Sequence, residues 1–285
     1  MKHLSYQDAL NIAASALAEA AIEAPRREAR LLLAHLLKVP ARALPPENAV
    51  VSAARLHVAL ARRASHEPLA FITGTQGFWT IEVEVSPATL IPRADSETLI
   101  EAAIAAFPDR AAVRSVLDLG TGTGCLLLAA LSEFPTAFGI GVDREPEAAS
   151  LAARNAARLG LASRAAFLAG DWGTALATRF DLVLCNPPYI ASAAIVGLMP
   201  EVARHEPALA LDGGADGMQA YATLMPTLES LLSPGGVAIL ELGAGQAPNA
   251  AALARATGFN RISARPDLGG TPRAMLLHGT VDPRA

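Results

Sequence analysis

Four consecutive residues after an apolar run carry groups that could hold a planar substrate: Asn186, Pro187, Pro188 and Tyr189. Prolines lack a backbone N–H, so carbonyl oxygens remain as the local polar groups. Asn186 adds a side-chain carbonyl and Tyr189 a flat ring. Acceptors beside an aromatic wall suit a carboxamide or a nucleobase amino group. We therefore predict that these four residues bind the substrate and that Asn186, Pro187 and Tyr189 are catalytic. On their own, the paired prolines could simply end a strand.

A second segment, from Asp118 to Gly124, reads Asp-Leu-Gly-Thr-Gly-Thr-Gly. Its third glycine follows the second by two positions, whereas a dinucleotide site has three, and it lacks the lysine of a P-loop. The carboxylate of Asp118 disfavours a pyrophosphate and favours a sulfonium. The loop therefore predicts S-adenosyl-L-methionine as cofactor. We expect it to be bound through Gly120, Thr121, Gly122, Thr123 and Gly124.

Acidic residues at two further predicted strand ends fit the same ligand. Asp143 ends the run Gly-Ile-Gly-Val-Asp, where a carboxylate can accept hydrogen bonds from both ribose hydroxyls. Taken alone, Asp143 could equally cap the next helix. Asp171 can accept from the adenine amino group, and the indole of Trp172 can cover the ring. Asp143, Asp171 and Trp172 are thus predicted to bind the cofactor.

Strands and helices alternate from about residue 95, which predicts an α/β fold with a doubly wound, mostly parallel sheet. Seven strands are expected, at 113–119, 138–142, 165–169, 180–185, 237–242, 260–264 and 274–278. The last two form a hairpin at one edge of the sheet. All the motifs above fall at the carboxyl ends of strands, where such sheets bind ligands.

The chain before the sheet is expected to form two further parts. Helical spacing and a capping pattern at Ser5 predict a small helical domain over residues 1–68. Alternation in residues 81–85, after Gly74 and Gly77, predicts a β-hairpin linker over residues 69–92. Residues 93–285 are then the domain that carries the motifs.

Composition restricts the partners. Of 285 residues, 23 are Lys or Arg and 27 are Asp or Glu, so the net charge of −4 argues against a general nucleic-acid binder. No apolar run approaches the ~18 residues of a membrane span. The two cysteines and six histidines show no metal-ligand spacing, so no metal is expected. A reducing cytoplasm fits a chain with so few cysteines.

Together the motifs resemble the peptide chain release factor N(5)-glutamine methyltransferases, the PrmC/HemK family. The resemblance is carried by residues 118–124, 141–143, 170–172 and 186–189, and by segments at 70–74, 77–79, 90–93, 205–208 and 267–270. One departure is Ala94, where the family usually has proline. The resemblance implies a Rossmann-like class I methyltransferase whose N-terminal domain recognises the substrate.

The resemblance also implies a reaction. Asn186 would contact both the cofactor and the substrate, which is the glutamine in the Gly-Gly-Gln motif of class 1 release factors. The product of the cofactor would be S-adenosyl-L-homocysteine. The enzyme is expected to be a cytoplasmic monomer that binds no nucleic acid directly.

Four alternatives stay open. An N-methyltransferase acting on a nucleic-acid base would need a basic, aromatic N-terminal domain, but Tyr6 is the only aromatic residue before Phe71. A sister family methylates a ribosomal-protein glutamine with the same tetrad. A non-catalytic cofactor-binding module would leave the tetrad unexplained. The glycine spacing argues against a dinucleotide oxidoreductase.

Overall fold

The computed structural model describes residues 3–40, 43, 45–46 and 48–279. The chain divides into two compact units, one up to Thr75 together with Met199–His205, and one formed by Gln76–Leu198 and the chain from Glu206 onward. The strands are β1 (His3–Ser5), β2 (Val50–Ser52), β3 (Thr75–Phe78), β4 (Ile81–Glu84), β5 (Ser115–Leu119), β6 (Phe138–Asp143), β7 (Ala165–Ala169), β8 (Phe180–Cys185), β9 (Leu232–Glu241), β10 (Ile262–Pro266) and β11 (Pro272–His278). The α-helices are α1 (Tyr6–Glu19), α2 (Pro25–Leu37), α3 (Ala53–Ala64), α4 (Leu69–Thr73), α5 (Glu97–Ala106), α6 (Cys125–Glu133), α7 (Pro146–Arg158), α8 (Pro200–His205), α9 (Gln219–Leu231) and α10 (Ala247–Ala256).

The N-terminal unit is mainly helical. Ser5 caps α1 by accepting a hydrogen bond from the Asp8 backbone N–H at 3.1 Å, which confirms the predicted cap. Apolar side chains of α1, α2 and α3, among them Leu17 and Leu32, are fully buried in one core. An antiparallel ribbon of β1 and β2 completes the unit. The sequence did not predict this ribbon, because strands of three residues are too short to show an alternation.

An ion-pair cluster joins α8 to the same unit. The nearly buried Arg63 guanidinium contacts Glu28 at 2.6 Å and Glu201, in α8, at 3.1 Å. His66 Nδ1 lies 3.1 Å from the same Glu201 oxygen. Arg63 thus balances two carboxylates, and removal of any partner would leave a poorly solvated charge.

The second unit contains a seven-stranded sheet of order β10-β11-β9-β8-β5-β6-β7. The five strands from β9 to β7 are parallel, and the hairpin of β10 and β11 adds antiparallel strands at one edge. This confirms the predicted fold class and the terminal hairpin. The smaller hairpin of β3 and β4 is also present.

Helices cover both faces of the sheet. Tyr221 of α9 and Ala250 of α10 lie in the core on one face. Leu99 of α5 and Leu127 of α6 lie in the core on the other. From β5 the chain adds β6 and β7 on one side of the sheet, and then β8 and β9 on the other. The segments that follow β5 and β8 therefore diverge and leave a crevice at the carboxyl ends of these strands.

Candidate active site at the carboxyl ends of the strands

A cavity of about 670 Å³ lies at this crevice, a volume in the range of small-molecule sites. The structure brings most of the predicted site residues together on its wall, namely Gly120, Thr121, Gly122, Thr123, Asp143, Asp171, Trp172, Asn186 and Pro188. Three predicted residues, Gly124, Pro187 and Tyr189, are not among the lining residues. Each of the three is next in the chain to a residue that lines the cavity.

The glycine loop has a backbone that only glycine adopts easily. Gly120, Gly122 and Gly124 have φ of +73°, +53° and +80°. A Cβ at Gly124 would lie 3.0 Å from the Cβ of Ala152 in α7, closer than ordinary packing allows. Gly124 therefore acts by letting the loop pack against α7, and the preceding residues form the wall of the cavity.

Asp143 fixes the glycine loop while lining the cavity. Its Oδ2 accepts from the Gly122 N–H at 2.8 Å, and its Oδ1 accepts from the Glu145 N–H at 3.0 Å. The second bond orders the turn before α7 but does not cap the helix, because Glu145 is its N-cap residue and no side chain caps α7. Both carboxylate oxygens are thereby held in one orientation at the end of β6.

Asp118 lies under the loop and is buried. Thr121 Oγ1 donates to its Oδ2 at 2.6 Å, while Oδ1 has no hydrogen-bond partner among the described residues. The pKa of this carboxyl is raised from 3.8 to about 7, mainly by burial and in smaller part by the nearby Asp143 carboxylate, and the hydrogen bond from Thr121 opposes the rise. The loop therefore stands above a carboxyl group that titrates near neutral pH.

Trp172 packs against the first glycine of the loop. Its φ of +48° is unusual for a large residue, and its Cζ3 would lie 3.5 Å from a Cβ at Gly120. Asp171 is exposed beside it at the cavity. An aromatic surface and a carboxylate thus occupy the end of β7, as predicted.

The segment Asn186–Tyr189 is held by contacts on both sides. Asn186 Nδ2 donates to Ser96 Oγ at 3.2 Å, and Tyr189 Oη donates to Glu241 Oε1 at 3.0 Å. Gln246 Nε2 donates to the Tyr189 carbonyl at 2.9 Å. The tyrosine predicted as a stacking wall therefore has an anchored hydroxyl, and burial next to Glu241 raises the pKa of that hydroxyl.

Comparison with known proteins identifies the family. Residues 8–74 match the family described as PrmC N-terminal domain, and residues 112–254 match the family described as methyltransferase domain. The release factor glutamine methyltransferase of Rhodospirillum rubrum is 45% identical, covering 90% of this chain and 80% of that protein. That of Cereibacter sphaeroides is 45% identical, covering 93% and 95%. This chain belongs to the release factor glutamine methyltransferase family.

The family assignment made from the motifs is thus confirmed. A solved methyltransferase of Pyrococcus furiosus shares the fold, with a TM-score of 0.52 and 17% identity over 72% of this chain and 92% of that one. Within the described ranges, no group of three or more His, Cys, Asp and Glu side chains could hold a metal ion. No helix of the described part of the chain is long and apolar enough to cross a membrane.

Two of the segments that carry the family resemblance meet in the structure. Glu206 is buried; its carboxylate accepts from the Ile91 N–H at 3.1 Å and pairs with Arg93. Pro92 and Pro207, next to these residues, line the cavity. No local pattern predicts this role for Glu206, because its partners are more than 110 residues away in the chain.

Asn155 is a second supporting residue that no sequence motif predicts. It is buried in α7, where Nδ2 donates to the carbonyls of Glu84 at 3.0 Å and Thr123 at 2.9 Å. Its Oδ1 accepts from the Glu84 N–H at 2.7 Å. The side chain therefore connects β4, α7 and the glycine loop.

Proposed function

We propose that this chain transfers a methyl group from S-adenosyl-L-methionine to the side-chain amide nitrogen of the glutamine in the Gly-Gly-Gln motif of class 1 release factors. The observation that carries the proposal is the position of Asn186. Asn186 directly follows β8 and lines the same cavity as the glycine loop and Asp143. Relatives of this chain in the family are named for glutamine methylation in release factors.

The cavity fits the cofactor by the chemistry of its wall. Asp143 presents a fixed carboxylate suited to vicinal hydroxyls, and Trp172 presents an aromatic surface suited to a base. The carboxyl of Asp118, when ionised, favours a cation over a phosphate. When bound, S-adenosyl-L-methionine supplies a methyl group activated by a sulfonium and leaves as S-adenosyl-L-homocysteine.

The residues of the chain orient the acceptor. Ser96 holds the Asn186 amide through its nitrogen, so the amide oxygen is available to accept from the substrate amide. Pro187 and Pro188 add no N–H that would compete for acceptors. Fixed acceptors favour a substrate amide nitrogen whose lone pair is no longer conjugated with the amide carbonyl. Alignment of this kind can lower the activation free energy by several kcal/mol.

We further propose that residues 1–68 recognise the substrate, that residues 69–92 are a linker and that residues 93–285 carry out the transfer. The separate apolar core of the N-terminal unit supports its assignment as a domain distinct from the one that carries the motifs. The monomeric state, the lack of direct nucleic-acid binding and the cytoplasmic location stay predictions.

The proposal is tested by comparing wild-type protein with Asn186→Ala on a purified release factor. Loss of a single aligning acceptor should lower kcat by about 10²–10³. Affinity for the cofactor should change less, because the glycine loop and Asp143 remain. Asn260→Ala, at an exposed position, is the matched control. Full activity of Asn186→Ala would reject the assigned site.

A further inference from the structure

The turn between β10 and β11 carries a motif that the proposed reaction does not use, Asp267-Leu-Gly-Gly. Strand register places this turn. Ala274 of β11 pairs with Glu241, the last residue of β9, and the Arg273 carbonyl accepts from the Leu242 N–H at 2.8 Å. Since β9 runs parallel to β8, the turn lies at the same end of the sheet as the cavity.

The turn is fixed by its own hydrogen bonds. Asp267 Oδ1 accepts from the N–H groups of Gly269 at 2.9 Å and Thr271 at 3.0 Å. The Asp267 N–H donates to the Thr271 carbonyl at 2.9 Å. Gly270 has φ of +84°, which glycine adopts without strain. The backbone on both sides of Leu268 is therefore ordered.

An ion-pair chain fastens the turn to the rim of the cavity. The Arg273 guanidinium, largely buried, contacts Asp267 at 3.2 Å and Asp95 at 3.1 Å. Asp95 precedes Ser96, which lines the cavity and binds Asn186. Leu268, at the tip of the turn, is fully exposed. An exposed apolar side chain thus stands on an ordered turn at the end of the sheet where the cavity lies.

We propose that Leu268 docks the protein substrate by contacting an apolar surface next to the loop that carries the acceptor glutamine. This inference rests on the proposed function, since it takes the release factor as the partner. A protein whose glutamine enters the cavity must cover the adjacent rim, and covering Leu268 removes apolar surface from water. Because the turn is already ordered, little further entropy is lost on binding.

The test measures binding of a release factor to the enzyme loaded with S-adenosyl-L-homocysteine, by calorimetry. Leu268→Ser should weaken binding about tenfold, the order expected for loss of a buried leucine surface. Leu268→Met, which keeps an apolar side chain, should bind within about twofold of wild type. Phe138→Ala is the control, because Phe138 is a half-exposed apolar residue at the opposite, amino end of β6.

The outcomes separate the two proposals. Unchanged binding by Leu268→Ser, or equal weakening by Phe138→Ala, overturns the docking role and leaves the reaction intact. Weakened binding by Leu268→Ser, together with no methyl transfer to the release factor, upholds docking and rejects the reaction. No binding by the wild-type protein contradicts both.

Discussion

Replacing Asp118 by asparagine should change how the stability of the protein depends on pH. The buried carboxyl has a pKa of about 7 in the folded chain, against 3.8 when exposed. The folded state therefore holds the proton more tightly than the unfolded state. By linkage, the contribution of Asp118 to the free energy of unfolding is highest below about pH 4 and falls as pH rises toward 7. The asparagine side chain of the variant has no proton to lose and keeps an oxygen for Thr121.

A rise of the pKa from 3.8 to about 7 corresponds to a loss of roughly 4 kcal/mol in the free energy of unfolding between low pH and high pH. Urea unfolding of both proteins at pH 5, 6, 7 and 8 measures the difference directly. We expect the stability of Asp118→Asn relative to wild type to increase by about 2–3 kcal/mol over this range. A difference that stays constant from pH 5 to 8 would refute the assigned burial.

The control is Asp212→Asn. Asp212 is exposed, and hydrogen bonds from Ser192 and the Gly214 N–H lower the pKa of its carboxyl. Its stabilising contribution is lost only as pH falls below the ordinary range of a carboxyl. The difference between this variant and wild type should therefore stay constant from pH 5 to 8.

Three further predictions concern the supports of the site. Gly124→Ala should lower the free energy of unfolding by roughly 2–4 kcal/mol, because the added Cβ is strained and crowded. Gly160→Ala, at a similar φ but with open space around the Cβ, should lower it by only about 1–2 kcal/mol. Equal losses in urea unfolding would contradict the packing role of Gly124. Asn155→Ala should lower the free energy of unfolding by roughly 2–4 kcal/mol and weaken cofactor binding measured by calorimetry, since three hydrogen bonds are lost. Unchanged cofactor affinity would contradict the link between Asn155 and the glycine loop. Ser96→Ala should lower kcat about tenfold, which is less than the loss of a direct contact to the substrate would cause. Cofactor affinity should stay within about twofold of that of the wild-type protein. An unchanged kcat would show that Ser96 does not position Asn186.

Sequence periodicity predicted most of the sheet because buried parallel strands are apolar runs with clear ends. It placed the start of β9 at Val237, whereas the strand begins at Leu232. Residues 233–236, Ser-Pro-Gly-Gly, have the composition of a turn, and the pairing of β8 with β9 shifts register there. An irregular strand of this kind has no alternation to detect.

The site was predicted where it depends on strand ends and missed where it depends on distant contacts. Asp143 ends a strand and Asn186 directly follows one, so their positions could be deduced from the local pattern. Asn155 binds Glu84 across 71 residues, and no local pattern reports such a contact. The anchoring of Tyr189 by Glu241 was missed for the same reason. Residues that hold a site in place are specified by tertiary packing.

The most direct test of the central claim is a methyl-transfer reaction with isotopically labelled S-adenosyl-L-methionine and a mixture of a release factor, ribosomal proteins and RNA as competing acceptors. Peptide mapping by mass spectrometry then locates the label. We expect one labelled site, the side-chain amide of the glutamine in Gly-Gly-Gln, and no label on a release factor with alanine in place of that glutamine. Label on RNA, on a ribosomal protein or on the alanine variant would contradict it.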